Sequence, residues 1–279
     1  GDHRRTGEIG NKVYGNCIVA SIDHHPAKED HPFELNIVDD CSSDTKKMAD
    51  GSDLIIIATP LSSYESVILK IKDSLKDGTI LTDVGSAKLN VVNIFSKLKN
   101  AKFHILPAHP IAGTEKSGPE SGFAELFNKR WCVITPMGKN DNKSLNKLKK
   151  LWKSFGSKVQ IMNAKNHDKI LAITSHMPHL ISYSIVCSSL NVNAKEKSQI
   201  IKFSAGGFRD FTRIASSDAI MWKDIFLNNK INLLKITKEF EKSLNLIKNY
   251  IKKNNSKKLQ EIFLRTKKIR KLIEKEKQE

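Results

Sequence analysis

Paired cysteines, arginine and long apolar runs are all scarce in this chain. Its four cysteines, at positions 17, 41, 132 and 187, have no CxxC or CxxH spacing, which argues against a zinc site and against a disulfide framework. The apolar runs, such as LIIIATPL, are less than half of the roughly 20 residues that span a bilayer. The basic N-terminal stretch also lacks the apolar segment of a signal peptide. We therefore predict a cytoplasmic protein without a metal site and without membrane contact.

The scarcity of arginine bears on the choice of partner. Only 7 of the 47 basic residues are arginine, although the net charge is +17. A strongly basic chain can bind nucleic acid, and such binding collapses as salt is raised. An excess of lysine together with abundant asparagine and isoleucine is, however, what an AT-rich coding sequence produces. The lysine-rich C-terminal segment is also patterned as solvated helix faces, so we predict no nucleic-acid partner.

Strand and helix patterns alternate through the first 160 residues. The predicted strands are CIVASID (17–23), DLIIIAT (53–59), GTILTDV (78–84), KFHILP (102–107), WCVIT (131–135) and KVQIM (158–162). Segments with apolar residues at helical spacing lie between several of these strands. This alternation favours a mainly parallel sheet covered by helices. From Ala164 onward every pattern is helical. The sequence therefore predicts an α/β sheet domain over residues 1–163 and an all-α domain over residues 164–279.

Three polar stretches follow predicted strands: ATP (58–60), TDVGSAK (82–88) and PAHPIAGTEKSG (107–118). Ligands bind beyond the carboxyl ends of the strands in an open parallel sheet, so we expect the three stretches to face one crevice. The candidate cofactor contacts are Thr59, Pro60, Asp83 and Gly85.

The third stretch carries the candidate base. It has little apolar surface, which predicts a surface loop of the kind that often carries binding groups. A neutral imidazole such as that of His109 can accept a proton near pH 7, whereas the alternative is a histidine that only bonds a carbonyl or caps a helix. In the second stretch, Ser86 fits an N-cap worth about 1 kcal/mol, and Lys88 is expected to be solvated.

The helical half holds candidate anion-binding groups. Arg209 and Arg213 lie in FRDFTR, and a guanidinium binds a carboxylate through two charge-assisted hydrogen bonds. An ion pair with the adjacent Asp210 is the alternative for Arg209. Ser175 and His179 share one helical face in TSHMPHLI, either as ligand contacts or as packing. In the same segment Pro178 predicts a kink, and the neighbouring histidines lack a third metal ligand.

TDVGSAK, HPIAGTEKSG, TSHMPHLI and GGFRDFTRIASSDAIMW, in this order and at these separations, resemble the prephenate dehydrogenase family, from about Ile37 to about Tyr250. The resemblance implies a Rossmann-like nucleotide-binding domain followed by a helical dimerisation domain. It also implies a homodimer that converts prephenate oxidatively to 4-hydroxyphenylpyruvate in tyrosine biosynthesis. NAD, or NADP as the alternative, would accept the hydride.

The same resemblance implies a role for each motif residue. His109 would be the base, and Ser86 would hydrogen-bond the substrate hydroxyl or His109. Glu115 would gate the site by pairing with an arginine, unless it is an exposed loop charge. Trp222 would pack in the core or the dimer interface, or enter the partner's pocket. The implied substrate contacts are Arg213, Ser175, His179 and, as the second cation, Arg209.

The N-terminus departs from the family pattern. No apolar strand precedes GEIGNKVYG, and its spacing differs from GxGxxG, the turn whose bare backbone approaches a pyrophosphate. CIVASID resembles the family's second strand, with Asp23 placed to bind a ribose diol and to disfavour NADP. We therefore hypothesise a truncated reading frame with weakened cofactor binding and no appended regulatory domain. Arogenate dehydrogenase and a catalytically impaired dimeric binding module are the alternatives.

Overall fold

The computed structural model describes residues 20–21, 38–98, 101–116, 118, 121–138 and 142–275. The strands are β1 (Ala20–Ser21), β2 (Asp40–Cys41), β3 (Leu54–Ile57), β4 (Ile80–Asp83), β5 (His104–Ile105), β6 (Ala108–Pro110), β7 (Trp131–Ile134) and β8 (Lys158–Ile161). The α-helices are α1 (Thr45–Ala49), α2 (Tyr64–Ile71), α3 (Leu89–Phe95), α4 (Asn142–Ser154), α5 (Ala164–Leu171), α6 (Met177–Leu190), α7 (Ala194–Lys202), α8 (Gly206–Thr212), α9 (Ala219–Asn228), α10 (Lys230–Lys252) and α11 (Ser256–Lys275). Short 3-10 helices span Leu61–Ser63, Lys72–Ser74 and Arg213–Ser216, and a π-helix spans Ala172–His176.

The described strands pair mainly in parallel. β3, β4 and β5 form a parallel sheet with β4 in the middle, β1 pairs in parallel with β2, and β7 pairs in parallel with β8. β4 is buried along its whole length, as expected of a strand that helices cover on both faces. The predicted α/β architecture is confirmed, and its core packs α2 and α3 against β3 and β4 and α4 against β7.

One part of the predicted surface loop is a buried strand. β6 pairs antiparallel with β7, with His109 opposite Val133, and all three of its residues are buried. Backbone hydrogen bonds extend the pairing on both sides, from Thr135 N to Pro107 O at 2.8 Å and from Ile111 N to Trp131 O at 2.7 Å. The loop prediction was wrong here because two prolines within four residues concealed the strand pattern.

Every described element after Ile161 is helical. The stretch Ala164–Ser189, which comprises α5, the π-helix and most of α6, is long and apolar enough by length and composition to cross a membrane. Four polar residues of this stretch are nevertheless buried: His167, Asp168, His176 and Ser182. The π-helix ends at His176, two residues before Pro178, so a widened turn precedes the proline; the kink stays a prediction.

The helical pattern across residues 218–253 forms two helices, α9 and α10, which are separated by Asn229. This residue is buried, and its side-chain amide donates to the Asp168 carbonyl at 2.7 Å. Residues Lys230–Glu279 make a compact unit of their own, in which α10 and α11 contact each other.

Candidate active site

A buried ion pair lies behind the candidate base. The ammonium of Lys88 contacts Asp83 and donates to the Ala108 carbonyl at 2.7 Å. Asp83 also accepts from the Tyr64 hydroxyl at 3.0 Å and from the amides of Gly85 and Ala108 at 2.8 and 3.1 Å. The expectation that Lys88 is solvated was wrong, since its side chain is fully buried. The pair fixes β6 beside the end of β4, and His109 follows on β6.

Asp168, on α5, caps the start of α3. Its two carboxylate oxygens accept from the backbone amides of Lys88 and Leu89 at 2.7 and 2.9 Å. A carboxylate at a helix N-terminus satisfies free amides and interacts favourably with the helix dipole. The prediction that Ser86 is the N-cap was wrong, because α3 begins at Leu89 and its cap comes from another element.

His109 contacts the helical half of the chain directly. Its Nδ1 lies 2.8 Å from Nε2 of His167, and Nδ1 of His167 lies 2.7 Å from Oδ1 of Asp168. All three side chains are buried. The site therefore contains a continuous hydrogen-bonded row from the sheet to α5.

The environment of His109 keeps its imidazole neutral. Burial lowers its pKa well below the usual value, and the charges of His167, Lys88 and His176 lower that pKa further. Desolvation disfavours the charged form of a base. A neutral imidazole is the form that accepts a proton.

Trp222 and two histidines form an aromatic cluster. The His179 ring stacks on Trp222 with 3.5 Å between centroids and 19° between planes, and His176 meets the same indole edge-on at 6.2 Å. Burial lowers the pKa of His176 to about 4. The indole Nε1 of Trp222 and Nε2 of His176 are buried and have no hydrogen-bond partner among the described residues. Ser175 is half-buried, and its carbonyl lies 3.0 Å from Nδ1 of His179.

The loop after β6 reaches the arginine motif FRDFTR. Nη1 of Arg213 donates to Oε2 of Glu115 at 2.8 Å, and the charge of Arg213 contributes to the lowered pKa of His179, after burial. Arg209 is exposed on α8 and, among the described residues, forms no ion pair with Asp210. The structure thus joins Glu115 and Arg213 and leaves Arg209 at the surface.

The candidate cofactor contacts lie where β3 and β4 end. Thr59 follows β3, and its buried hydroxyl has no partner among the described residues, a group that a bound molecule could satisfy. Pro60 precedes the next 3-10 helix. A Cβ on Gly85 would lie 2.6 Å from Cδ2 of Leu61 and 2.8 Å from the Tyr64 hydroxyl, so a side chain here would displace its neighbours. Asp83 is buried in its ion pair with Lys88. Asp23 lies outside the described residues.

Sequence reasoning missed His167 and Asp168. They stand side by side in NAKNHDKIL, before the TSHMPHLI motif, where they read as ordinary residues of an amphipathic helix. A usable signal was the rarity of buried charge, because an aspartate and a histidine on the apolar face of a helix require partners.

The fold and this site define a protein in which a Rossmann-like sheet region precedes a helical region, and residues of both regions form the site. Residues 10–161 match the family model described as prephenate dehydrogenase, nucleotide-binding domain, and residues 163–265 match its dimerization domain. The chain belongs to the prephenate dehydrogenase family. The predicted family, the Rossmann-like nucleotide-binding domain and the helical dimerisation domain are thereby confirmed, while the boundary at residue 163 and the roles of individual site residues stay predictions.

Individual relatives agree. A cyclohexadienyl dehydrogenase of Zymomonas mobilis is 32% identical over 93% of this chain and 88% of its own length. A prephenate dehydrogenase of Lactococcus lactis is 35% identical over 82% of this chain, which spans 63% of that longer protein. The crystal structure of an Aquifex aeolicus prephenate dehydrogenase with hydroxyphenyl propionate and NAD+ superimposes with a TM-score of 0.87 at 32% identity, covering 96% of this chain and 93% of that one.

Proposed function

We propose that this chain converts prephenate to 4-hydroxyphenylpyruvate and carbon dioxide, with NAD as the hydride acceptor. The observation that carries the proposal is His109, a buried imidazole that the sheet domain holds against the helical domain. Family membership and the 32% identity to a dehydrogenase crystallised with NAD+ support it. The product belongs to tyrosine biosynthesis.

NAD, when bound, accepts the hydride that leaves the ring carbon bearing the hydroxyl. Thr59 fits a cofactor contact because its hydroxyl is buried and without a partner among the described residues. The position of Thr59 after β3 also fits, since dinucleotides lie beyond the carboxyl ends of parallel strands. We infer that Thr59 and Pro60 line the cofactor side of the crevice.

His109 removes the proton of the substrate hydroxyl. Its pKa lies below the usual range, chiefly because of burial, so the imidazole is neutral and ready to accept a proton at pH 7. When the ring carboxylate leaves as carbon dioxide, the ring electrons reach the same oxygen, which takes its proton back from His109. Ser86, at the end of β4, would hydrogen-bond this hydroxyl.

Arg213 would bind the side-chain carboxylate of prephenate. An arginine that held the ring carboxylate would stabilise a charge that disappears as carbon dioxide forms, and such an interaction slows the reaction. Arg213 uses Nη1 for Glu115, and a guanidinium offers five N–H donors in all. Ser175, His179 and Trp222 would surround the rest of the substrate.

The helical domain would form a homodimer. The family description names this domain for dimerization, and large apolar side chains are exposed on its first helices. They include Ile173, Ile201, Phe203, Phe211, Ile220 and Leu227. An exposed apolar surface of this kind marks an interaction site. Light scattering after gel filtration should give twice the chain mass of 31.4 kDa.

The proposal is tested by absorbance at 340 nm with prephenate or arogenate, each with NAD or NADP. We expect the largest kcat/KM for prephenate with NAD. Arogenate differs from prephenate by an amine in place of the side-chain ketone. A preference for arogenate would change the assignment to arogenate dehydrogenase. If no combination of substrate and cofactor changes the absorbance, while calorimetry still detects prephenate binding, the chain is a binding module and the proposed activity is wrong.

A further inference from the structure

The hydrogen-bonded row that ends at His109 determines where its proton lies. Both oxygens of the Asp168 carboxylate already accept from backbone amides, at 2.7 and 2.9 Å. A carboxylate that accepts such bonds is in its ionised, acceptor-only form. The proton between Asp168 and His167 is therefore on Nδ1 of His167.

The remaining positions follow from the chemistry of imidazole. A neutral imidazole carries one N–H and one lone pair, so Nε2 of His167 is an acceptor. Nδ1 of His109, 2.8 Å away, must then be the donor. This leaves the lone pair of His109 on Nε2, which makes no hydrogen bond within the described part of the chain.

We propose that Asp168 and His167 are positioning residues that hold His109 as the Nδ1–H tautomer, so that Nε2 faces the substrate as the base. This inference rests on the proposed function. In the reaction the substrate O–H bond breaks, an N–H bond forms at Nε2, and the electron pair stays on the oxygen while the hydride leaves for NAD. His109 becomes an imidazolium, and its Nδ1–H bond to His167 strengthens as the charge appears.

The surrounding charges make the row necessary. His167, Lys88 at the N-cap of α3 and His176 on the π-helix all disfavour a positive charge on His109. The charge of Lys88 is opposed by Asp83, with which it is paired. Asp168 is the negative group that faces the far side of His167, and it raises the pKa of His167 against the dominant effect of burial. The row thus links the Asp168 carboxylate to the base through His167.

The ring geometry agrees with one defined tautomer. The centroids of His109 and His167 lie 5.0 Å apart with 66° between their planes. Both rings are buried, and on the far side Asp168 is bound to the first amides of α3. Because neither ring can turn without breaking a buried hydrogen bond, the arrangement is set before the substrate binds.

The test uses the whole protein labelled with 15N in its histidines. In the wild-type protein without substrate, His109 should show a protonated Nδ1 and an unprotonated Nε2, with its signals assigned by their loss in His109→Asn. In His167→Leu we expect the Nε2–H tautomer to become populated and kcat to fall roughly 10²-fold, within the range for general-base catalysis, with KM for prephenate changed less than about 3-fold. His167→Gln retains an acceptor and should recover part of kcat.

His104→Gln, which removes another imidazole of the sheet domain, is the matched control and should leave both readouts unchanged. A wild-type His109 with its proton on Nε2 overturns the inference even if every variant fails to fold. An unchanged tautomer and kcat in a folded His167→Leu protein also overturns it. The predicted tautomer in a protein that turns over neither prephenate nor arogenate would instead contradict the proposed function alone.

Discussion

Glu115 and Arg213, 98 positions apart in the chain, are joined by a single hydrogen bond of 2.8 Å between Oε2 and Nη1. The side chain of Arg213 is 59% exposed and that of Glu115 28% exposed, so water reaches the pair and its contribution to stability is small. Its significance is positional, because it holds the predicted carboxylate-binding group against the loop that follows His109.

Replacing Arg213 with alanine should weaken substrate binding selectively. The loss of a charge-assisted contact corresponds to about 1.5–3 kcal/mol, or roughly a 10- to 100-fold rise in KM for prephenate. KM for NAD should change little. Arg209→Ala, which removes an exposed arginine four residues away, is the comparison variant. Equal increases in the two KM values would count against Arg213 as the substrate contact.

Replacing Glu115 with glutamine should release Arg213 without leaving a buried charge. We expect KM for prephenate to change in the opposite direction to that in Arg213→Ala, because the guanidinium loses a competing partner. Steady-state kinetics at two salt concentrations would measure this, with the difference from wild type shrinking at high salt. A large rise in KM would mean that Glu115 itself binds or orients the substrate.

His109→Asn should lower kcat by roughly 10²- to 10⁴-fold, since asparagine has a similar shape but no basic nitrogen. Binding of NAD, followed by fluorescence or calorimetry, should stay close to the wild-type value. Turnover close to that of the wild-type protein would remove His109 from the mechanism.

Lys88→Met tests the buried ion pair. Removal of one partner leaves the Asp83 carboxylate uncompensated in the core, which costs about 3–5 kcal/mol of unfolding free energy. Lys97→Met is the matched control, because Lys97 pairs with Glu65 at 2.6 Å on the surface and its loss should cost less than about 1 kcal/mol. Urea unfolding at pH 7 compares the two, and equal costs would contradict a structural role for the buried pair.

Stability should fall in mild acid. Burial is the main reason that the pKa values of His109, His167 and His176 are lowered, to about 4 for His176. Below about pH 6.5 the unfolded chain binds protons on these histidines that the folded chain does not, so stability is lost as pH decreases toward the folded pKa. Each imidazole contributes a slope of up to about 1.4 kcal/mol per pH unit. Urea unfolding between pH 7.5 and 5 measures it, and a flat profile would contradict neutral buried imidazoles.

Much of the fold could be predicted from the sequence, because its strands are short apolar runs and its helices have regular apolar spacing. β6 was missed because Pro107 precedes it, Pro110 is its last residue, and its partner strand lies more than 20 residues further along the chain. The boundary between α9 and α10 at Asn229 likewise depends on a distant segment. Asn229 follows the last residue of α9, and its side-chain amide donates to the backbone carbonyl of Asp168, 61 positions earlier.

The candidate site was predictable only in part. Motif residues such as His109 and Arg213 stand out because their side chains suit the chemistry of the substrate. Lys88 and Asp168 do not stand out, because their importance depends on burial, and burial is decided by contacts between distant segments. Lysine is the most abundant charged residue in this chain, and nothing in the sequence around Lys88 indicates that its side chain is fully buried.

Asp168 has a consequence for how this family can be recombined. Its carboxylate is supplied by one half of the molecule and completes the first turn of α3 in the other half. A chimera that takes its helical half from a relative would keep that turn only if the donor sequence also provides an acid at this position. A helical half grafted onto this sheet therefore has to keep an acid at position 168 for α3 to retain its cap.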